Sequence, residues 1–146
     1  SNYLVLSISS EPWAVMASHA AACYPRECCG ILLGSVSPED HRAVSRAIVC
    51  RNAYEGGQAD HFELDPKDQF EAQREARRLG VEVIGFFHSH PDCDAYFSAT
   101  DLAHSWPWYS NVVLSVRDGA VRDAKAFRAN DTQTESTSEE LQCPKF

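Results

Sequence analysis

An apolar run, Val83-Ile84-Gly85-Phe86-Phe87, passes directly into His88-Ser89-His90-Pro91, and this junction limits the folds open to the chain more than any other stretch. Extended backbone sends successive side chains to opposite faces, so the spacing predicts a strand with His88 and His90 on one side and Ser89 on the other. Two imidazoles on one face can share a metal. A catalytic zinc takes three ligands from the protein and keeps its fourth position open. Asp101 supplies the third if Pro91 ends the strand and the loop 92–97 turns the chain back. The segment Ser98-Ala99-Thr100-Asp101 reads as a helix start, which would hold Ser98 and Asp101 in one turn.

Each of these residues also has an ordinary reading. His-x-His at a strand end is commonly a pair of solvated or structurally bonded histidines, and Ser98-x-x-Asp101 is a helix capping box in its own right. Asp92 and Asp94 suit a turn. A carboxylate such as Glu27, beside an apolar run, is ordinarily a strand-edge group facing water. The order is more restrictive than its parts: His-Ser-His-Pro, six residues, Ser, two residues, Asp.

In that order the chain resembles the JAMM, or MPN-plus, metalloproteases. Their signature is an upstream glutamate, then His-[Ser/Thr]-His-Pro, a spacer of this length, and Ser-x-x-Asp. Glu27 matches the glutamate, within Pro25-Arg26-Glu27-Cys28-Cys29-Gly30-Ile31-Leu32-Leu33-Gly34, a block like that of the small prokaryotic members. The resemblance implies one zinc per chain, held by His88, His90 and Asp101. It implies Glu27 as general base and Ser98 as hydrogen-bond donor to the oxyanion of the attacked carbonyl. The implied substrate is an amide after the C-terminal Gly-Gly of a ubiquitin-like or sulfur-carrier protein. The implied fold is a single α/β domain of MPN type over residues 1–128, a curved mixed β-sheet flanked by helices.

Two neighbours of this set stand open to a role. His104 lies three residues from Asp101 on the same helical face, close enough to stand near the metal, although such a histidine is often a surface residue. Cys93 lies three residues past His90, within reach of the metal, although loop cysteines are usually bystanders. Two other functions compete with hydrolysis. A zinc deaminase needs His-x-Glu and a later Pro-Cys-x-x-Cys, and no Pro-Cys-x-x-Cys is present. A non-catalytic MPN scaffold typically lacks part of the ligand set, whereas all five signature residues are here.

Composition narrows the partners. The formal net charge is −8, with no basic stripe, which argues against nucleic acid. No stretch reaches the roughly 18 consecutive apolar residues of a membrane span. Ser1-Asn2 reads as an expression scar or a trimmed start, and no signal-peptide pattern precedes the first element. Six cysteines without CxxC spacing suit a reduced, cytoplasmic protein better than a disulfide framework. Nothing in the chain fixes an oligomeric state.

The remaining pattern predicts strands at 3–8, 28–34, 43–50 and 61–64. A first helix starts at Ser10 with Pro12, Trp13 and Met16, and stops at Pro25. Asp65-Pro66 opens a second helix that Gly80 closes, with Phe70, Ala76 and Leu79 as its buried side. Residues 51–60, with Gly56-Gly57, form a loop. The short helix at Ser98 runs to Pro107, and Trp106, Trp108 and Tyr109 cover the sheet end. Asp118-Gly119 marks a hairpin. Residues 129–146, rich in Ser, Thr and Glu, read as a flexible polar tail.

Overall fold

The computed structural model describes residues 4–144. In order they form β1 (Val5–Ile8), α1 (Ser10–Cys23), β2 (Cys29–Val36), β3 (His41–Cys50), α2 (Pro66–Leu79), β4 (Glu82–Pro91), α3 (Ala99–His104), β5 (Ser110–Arg117), β6 (Ala120–Ala129) and β7 (Ser136–Gln142). The predicted first strand begins at Tyr3, which lies outside the described residues.

The seven strands close into one barrel in the order β1-β3-β2-β4-β5-β6-β7. The sheet is mixed as expected: β1 runs parallel to β3 and β7, and β4 runs parallel to β5, while the other pairs are antiparallel. The expectation is a curved mixed sheet flanked by helices, and here the curvature runs on to closure. Closure comes from β7, which pairs Ala126 with Glu139 on one side and Val5 with Glu140 on the other. The stretch 129–146 is therefore not a loose tail in its middle part. Its polarity is misleading: within β7 Glu139 is the one fully buried residue, and the strand is held by main-chain ladders, by that carboxylate and by Leu141 packed against the core. Oε2 of Glu139 accepts from Arg128 and from Ser110, each at 2.9 Å. Ser110 in turn accepts from Arg42 at 3.1 Å, and Asp40 takes up Arg42 and Arg128. Arg42 is 1% exposed, with the Trp108 ring 4.2 Å from its guanidinium carbon. Trp108 thus covers a buried ion cluster as well as the sheet end.

One core gathers side chains from α1 and from β1 to β6: Trp13, Met16 and Ala20 of the helix meet Leu6, Leu32, Val44, Ile84, Phe87 and Leu114. A second core, with Cys29, Ile31 and Leu33, lies under Ala72 and Ala76 of α2. Alternate residues of β2 therefore enter different cores. A strand covered on both faces must read as a continuous apolar run, as this one does. Helix α2 starts and stops as predicted, with Asp65 accepting from Lys67 N–H at 2.9 Å and Gly80 left-handed at φ 70°. Its buried side holds at Ala76 and differs elsewhere: Ala72 joins it against the sheet, while Phe70 is 63% and Leu79 39% exposed. Phe70 is about 200° around the wheel from Ala72, and the small residues let the helix sit close. The hairpin follows its predicted turn, with Asp118 and Gly119 both at positive φ. The short helix α3 stops at His104 rather than near Pro107, and Trp106 is 67% exposed. Among the described residues no helix is long and apolar enough to cross a membrane.

Gly30 marks the closest packing beside the site. A Cβ there would overlap the Phe87 ring and stand 2.5 Å from the Ile48 carbonyl oxygen. Gly30→Ala is expected to destabilise the fold by about 1–3 kcal/mol through overpacking. Thermal unfolding reads this as a fall in Tm, and an unchanged Tm would mean that β2 and β4 have room to separate.

Candidate active site

Strand β4 lies between β2 and β5, and its last turn of sequence carries the histidines. Pairing with a neighbour on each side fixes the backbone, so His88 and His90 emerge from one face. Their Nε2 atoms stand 3.2 Å apart. Oδ2 of Asp101 lies 3.2 Å from each of them. All three donor atoms fall within 4.8 Å of one another, the only such group among the described residues. Two imidazole nitrogens facing each other with a carboxylate oxygen between them are a donor set that zinc accepts.

Neighbouring groups hold each donor. His90 Nδ1–H donates to the Asp94 carbonyl at 3.0 Å, which directs its Nε2 lone pair toward the other donors. The Phe62 ring stacks on His88 at 4.7 Å, and Tyr96 meets His90 edge-on at 5.0 Å. The capping box of α3 is complete: Ser98 Oγ accepts from Asp101 N–H at 2.9 Å, and Asp101 Oδ2 accepts from Ser98 N–H at 3.1 Å. Capping and ligation are thus not rival readings of Ser98-x-x-Asp101. The cap aims the carboxylate.

Ser89, on the opposite face of β4, exchanges two hydrogen bonds with the residue after Glu27. Its Oγ accepts from Cys28 N–H at 2.7 Å and its own N–H donates to the Cys28 carbonyl at 3.1 Å. This ties the segment carrying Glu27 to the strand carrying the histidines. Glu27 itself is 5% exposed. Burial pushes its carboxyl up to about 8; the charge of Asp101 adds to the rise and His90 opposes it. For Asp101 burial acts in the same upward direction, but hydrogen bonds from His88 and His90 outweigh it and hold the carboxyl well below the usual range. Burial lowers the His88 pKa and keeps that imidazole neutral. Burial also opposes charge on His90, but its bonds to Asp101 and Asp94 overcome this and raise it.

All these groups open into one cavity of about 430 Å³, lined also by His61, Phe62, Tyr96 and Trp106. Cys93 and His104 line it too, but neither belongs to the donor group. Cys93 is exposed, and His104 meets the His61 ring edge-on at 6.0 Å, its Nδ1–H donating to the Thr100 carbonyl at 2.9 Å. Phe62 and Tyr96 had no sequence signal of their own: a loop aromatic is legible as a ring, not as a stacking partner.

A family model for prokaryotic homologs of the JAB domain matches residues 10–130. The desampylase of Haloferax volcanii is 33% identical over 115 residues, 75% of this chain and 80% of its own. The CysO-cysteine peptidase of Mycobacterium tuberculosis is 29% identical over 128 residues, covering 87% of this chain and 84% of that one. Among solved structures, a protein from Desulfitobacterium hafniense superposes with a TM-score of 0.82 at 26% identity, over 97% of this chain and 94% of its own. A protein from Salinibacter ruber gives 0.70 at 32% identity, over 93% and 90%.

Proposed function

The chain belongs to the family of prokaryotic JAB-domain homologs, and from that premise we propose that it is a zinc-dependent peptidase or isopeptidase. Its substrate is the amide bond after the C-terminal Gly-Gly of a ubiquitin-like or sulfur-carrier protein, and its setting is the cytoplasm. One observation carries the reading: three donor atoms within 4.8 Å of one another, in the same cavity as a buried glutamate. The relatives named desampylase and CysO-cysteine peptidase support the substrate class. A binding scaffold would have no use for a carboxyl held in a nearly water-free position beside such a donor set.

His88 and His90 would hold the zinc through Nε2 and Asp101 through Oδ2. Bound there, zinc supplies Lewis acidity, polarising a carbonyl and bringing the pKa of water to about 7. Glu27 accepts the proton of the attacking water as the new C–O bond forms. It returns that proton to the amide nitrogen as the C–N bond breaks, which leaves a carboxylic acid on the glycine and a free amine; the acid's remaining proton then passes to the amine, giving carboxylate and ammonium. Ser98 uses its Oγ lone pair on Asp101 N–H, so its own O–H remains to donate to the oxyanion. A Gly-Gly tail has no side chains and reaches the reacting centre without displacing the aromatic walls. The exposed Tyr96 and Trp106 at the rim meet the body of the carrier.

The test is a panel of ubiquitin-like and sulfur-carrier proteins extended past Gly-Gly, followed by intact mass, with Glu27→Gln as control. Loss of the extension from one of them, and not with the control, supports the reading. A zinc-loaded protein that cuts none favours the scaffold. In the same assay Ser98→Ala is expected to keep zinc and lose about 10²–10³-fold in kcat. It also removes a helix cap worth about 0.5–2 kcal/mol, so zinc content is measured beside the rate. An unchanged rate would remove Ser98 from the chemistry.

A further inference from the structure

Glu27 sits between α1 and β2, outside every strand, so no ladder partner holds its main chain. The loop 51–64 takes up both of its backbone groups instead. Glu27 N–H donates to the Gln58 carbonyl at 2.7 Å, and its carbonyl accepts from Asn52 Nδ2 at 3.3 Å. Asn52 stands at the neck of this loop, where it bridges to Leu64, and Ala53 N–H donates to the Glu63 carbonyl at 2.8 Å.

A side-chain amide offers two donor hydrogens and two acceptor lone pairs. Asn52 uses all four. Nδ2 donates to the carbonyls of Glu27 and of His61, the latter at 3.1 Å. Oδ1 accepts from Tyr54 N–H at 3.0 Å and from Glu63 N–H at 3.1 Å. The Asn52 carbonyl also accepts from Gln58 Nε2 at 3.1 Å, and that same amide nitrogen reaches the Tyr54 carbonyl at 2.8 Å. Two carbonyls face the nitrogen and two N–H groups face the oxygen, so only one orientation of the amide satisfies them. The arm it secures carries Phe62, the ring stacked on His88.

We propose that Asn52 is a positioning residue for the hydrolytic site, fixing Glu27 and the Phe62–His88 stack in register through one saturated amide. The inference rests on the reading of Glu27 as general base. Its chemistry makes a sharp distinction between isosteres. An aspartate at position 52 keeps the shape and the acceptor but turns a second oxygen toward two carbonyls. Misplacement of a reacting group by about 1 Å costs on the order of 10²-fold in rate.

The experiment pairs Asn52→Ala with Asn52→Asp, and adds Gln58→Ala as a milder change that leaves the Gln58 carbonyl in place. Two readouts are taken on the zinc-loaded protein. Amide hydrogen exchange at Glu27 is expected to accelerate about tenfold or more in both Asn52 variants, with Val112 and Leu114 of β5 unchanged. With the Gly-Gly-extended substrate that the wild type cuts, kcat is expected to fall roughly 10–100-fold while KM stays within about threefold. Gln58→Ala moves both in the same direction by less. Unchanged exchange at Glu27 in both Asn52 variants would overturn the proposal, as would a rise in KM with kcat intact, which is what a purely loop-closing role predicts. If the wild type cuts no substrate, the functional reading fails, and exchange at Glu27 still decides the clamp.

Discussion

A Glu27→Gln protein should load zinc as the wild type does and hydrolyse its substrate about 10²–10⁴-fold more slowly. Glutamine keeps the volume of the side chain and removes its ability to take up a proton. Since Glu27 is outside the donor group, its loss leaves His88, His90 and Asp101 intact. Rate by intact mass and zinc by elemental analysis separate the two. A variant that retains the rate would sink the general-base assignment. In the wild type the ionised carboxylate does the work, so kcat/KM falls as pH drops through the Glu27 pKa. A cation held nearby brings that value below the about 8 set by burial in the metal-free site.

The same carboxyl has a stability consequence in chelator-treated protein. Its folded pKa is raised from 4.5 to about 8, so the native state holds the proton more tightly than the unfolded chain does. That contribution is fully present below pH 4.5 and is lost as pH rises through about 8. Metal-free Glu27→Gln should therefore gain Tm over the wild type at pH 8, and the gain should shrink toward pH 5.

His90→Ala should instead lose zinc and activity together. His90 is one of three donors that each stand 3.2 Å from both others. Its removal leaves a two-ligand remnant, and the loss should exceed by far the roughly 10–100-fold that follows from losing an outer hydrogen-bond partner. Metal uptake also displaces the proton that Asp101 stabilises on His90, so zinc affinity in the wild type falls as pH falls. Full zinc occupancy in His90→Ala would show that the ion is held elsewhere. Together with Glu27→Gln, this variant distinguishes an empty site from a loaded site without its base.

What the sequence reveals about this molecule follows from the range of the interactions involved. The capped start of α2 at Asp65-Pro66, its stop at Gly80, and the turn at Asp118-Gly119 are set by residues adjacent to one another, and each reads directly. His88, His90 and Asp101 lie within fourteen positions, and their spacing alone suggests that they meet. Strand β7 does not read, because it is held mainly by the main chains of β6 and β1 and by Arg128 and Ser110 on Glu139, with Leu141 as its one apolar contribution to the core. Arg42 does not read either: a strand arginine is expected in water, and here it is buried by groups from Asp40, Ser110 and Trp108. Asn52 shows the same limit at the site, since an asparagine before a glycine-containing loop looks like any turn residue. Its four partners are visible only after folding.

The pairing of β1 with β7 joins residues such as Val5 and Glu140 that are separated by most of the chain. A contact of that span is expensive in chain entropy and comes late. On the ribosome, the site-bearing segments from Glu27 to Asp101 emerge before the strand that seals the barrel. Until β7 arrives, β1 and β6 each present an open edge, the kind of surface on which nascent chains adhere to one another. The weakly apolar β7 thus governs when the protein stops being sticky, a matter of timing during synthesis rather than of chemistry at the site.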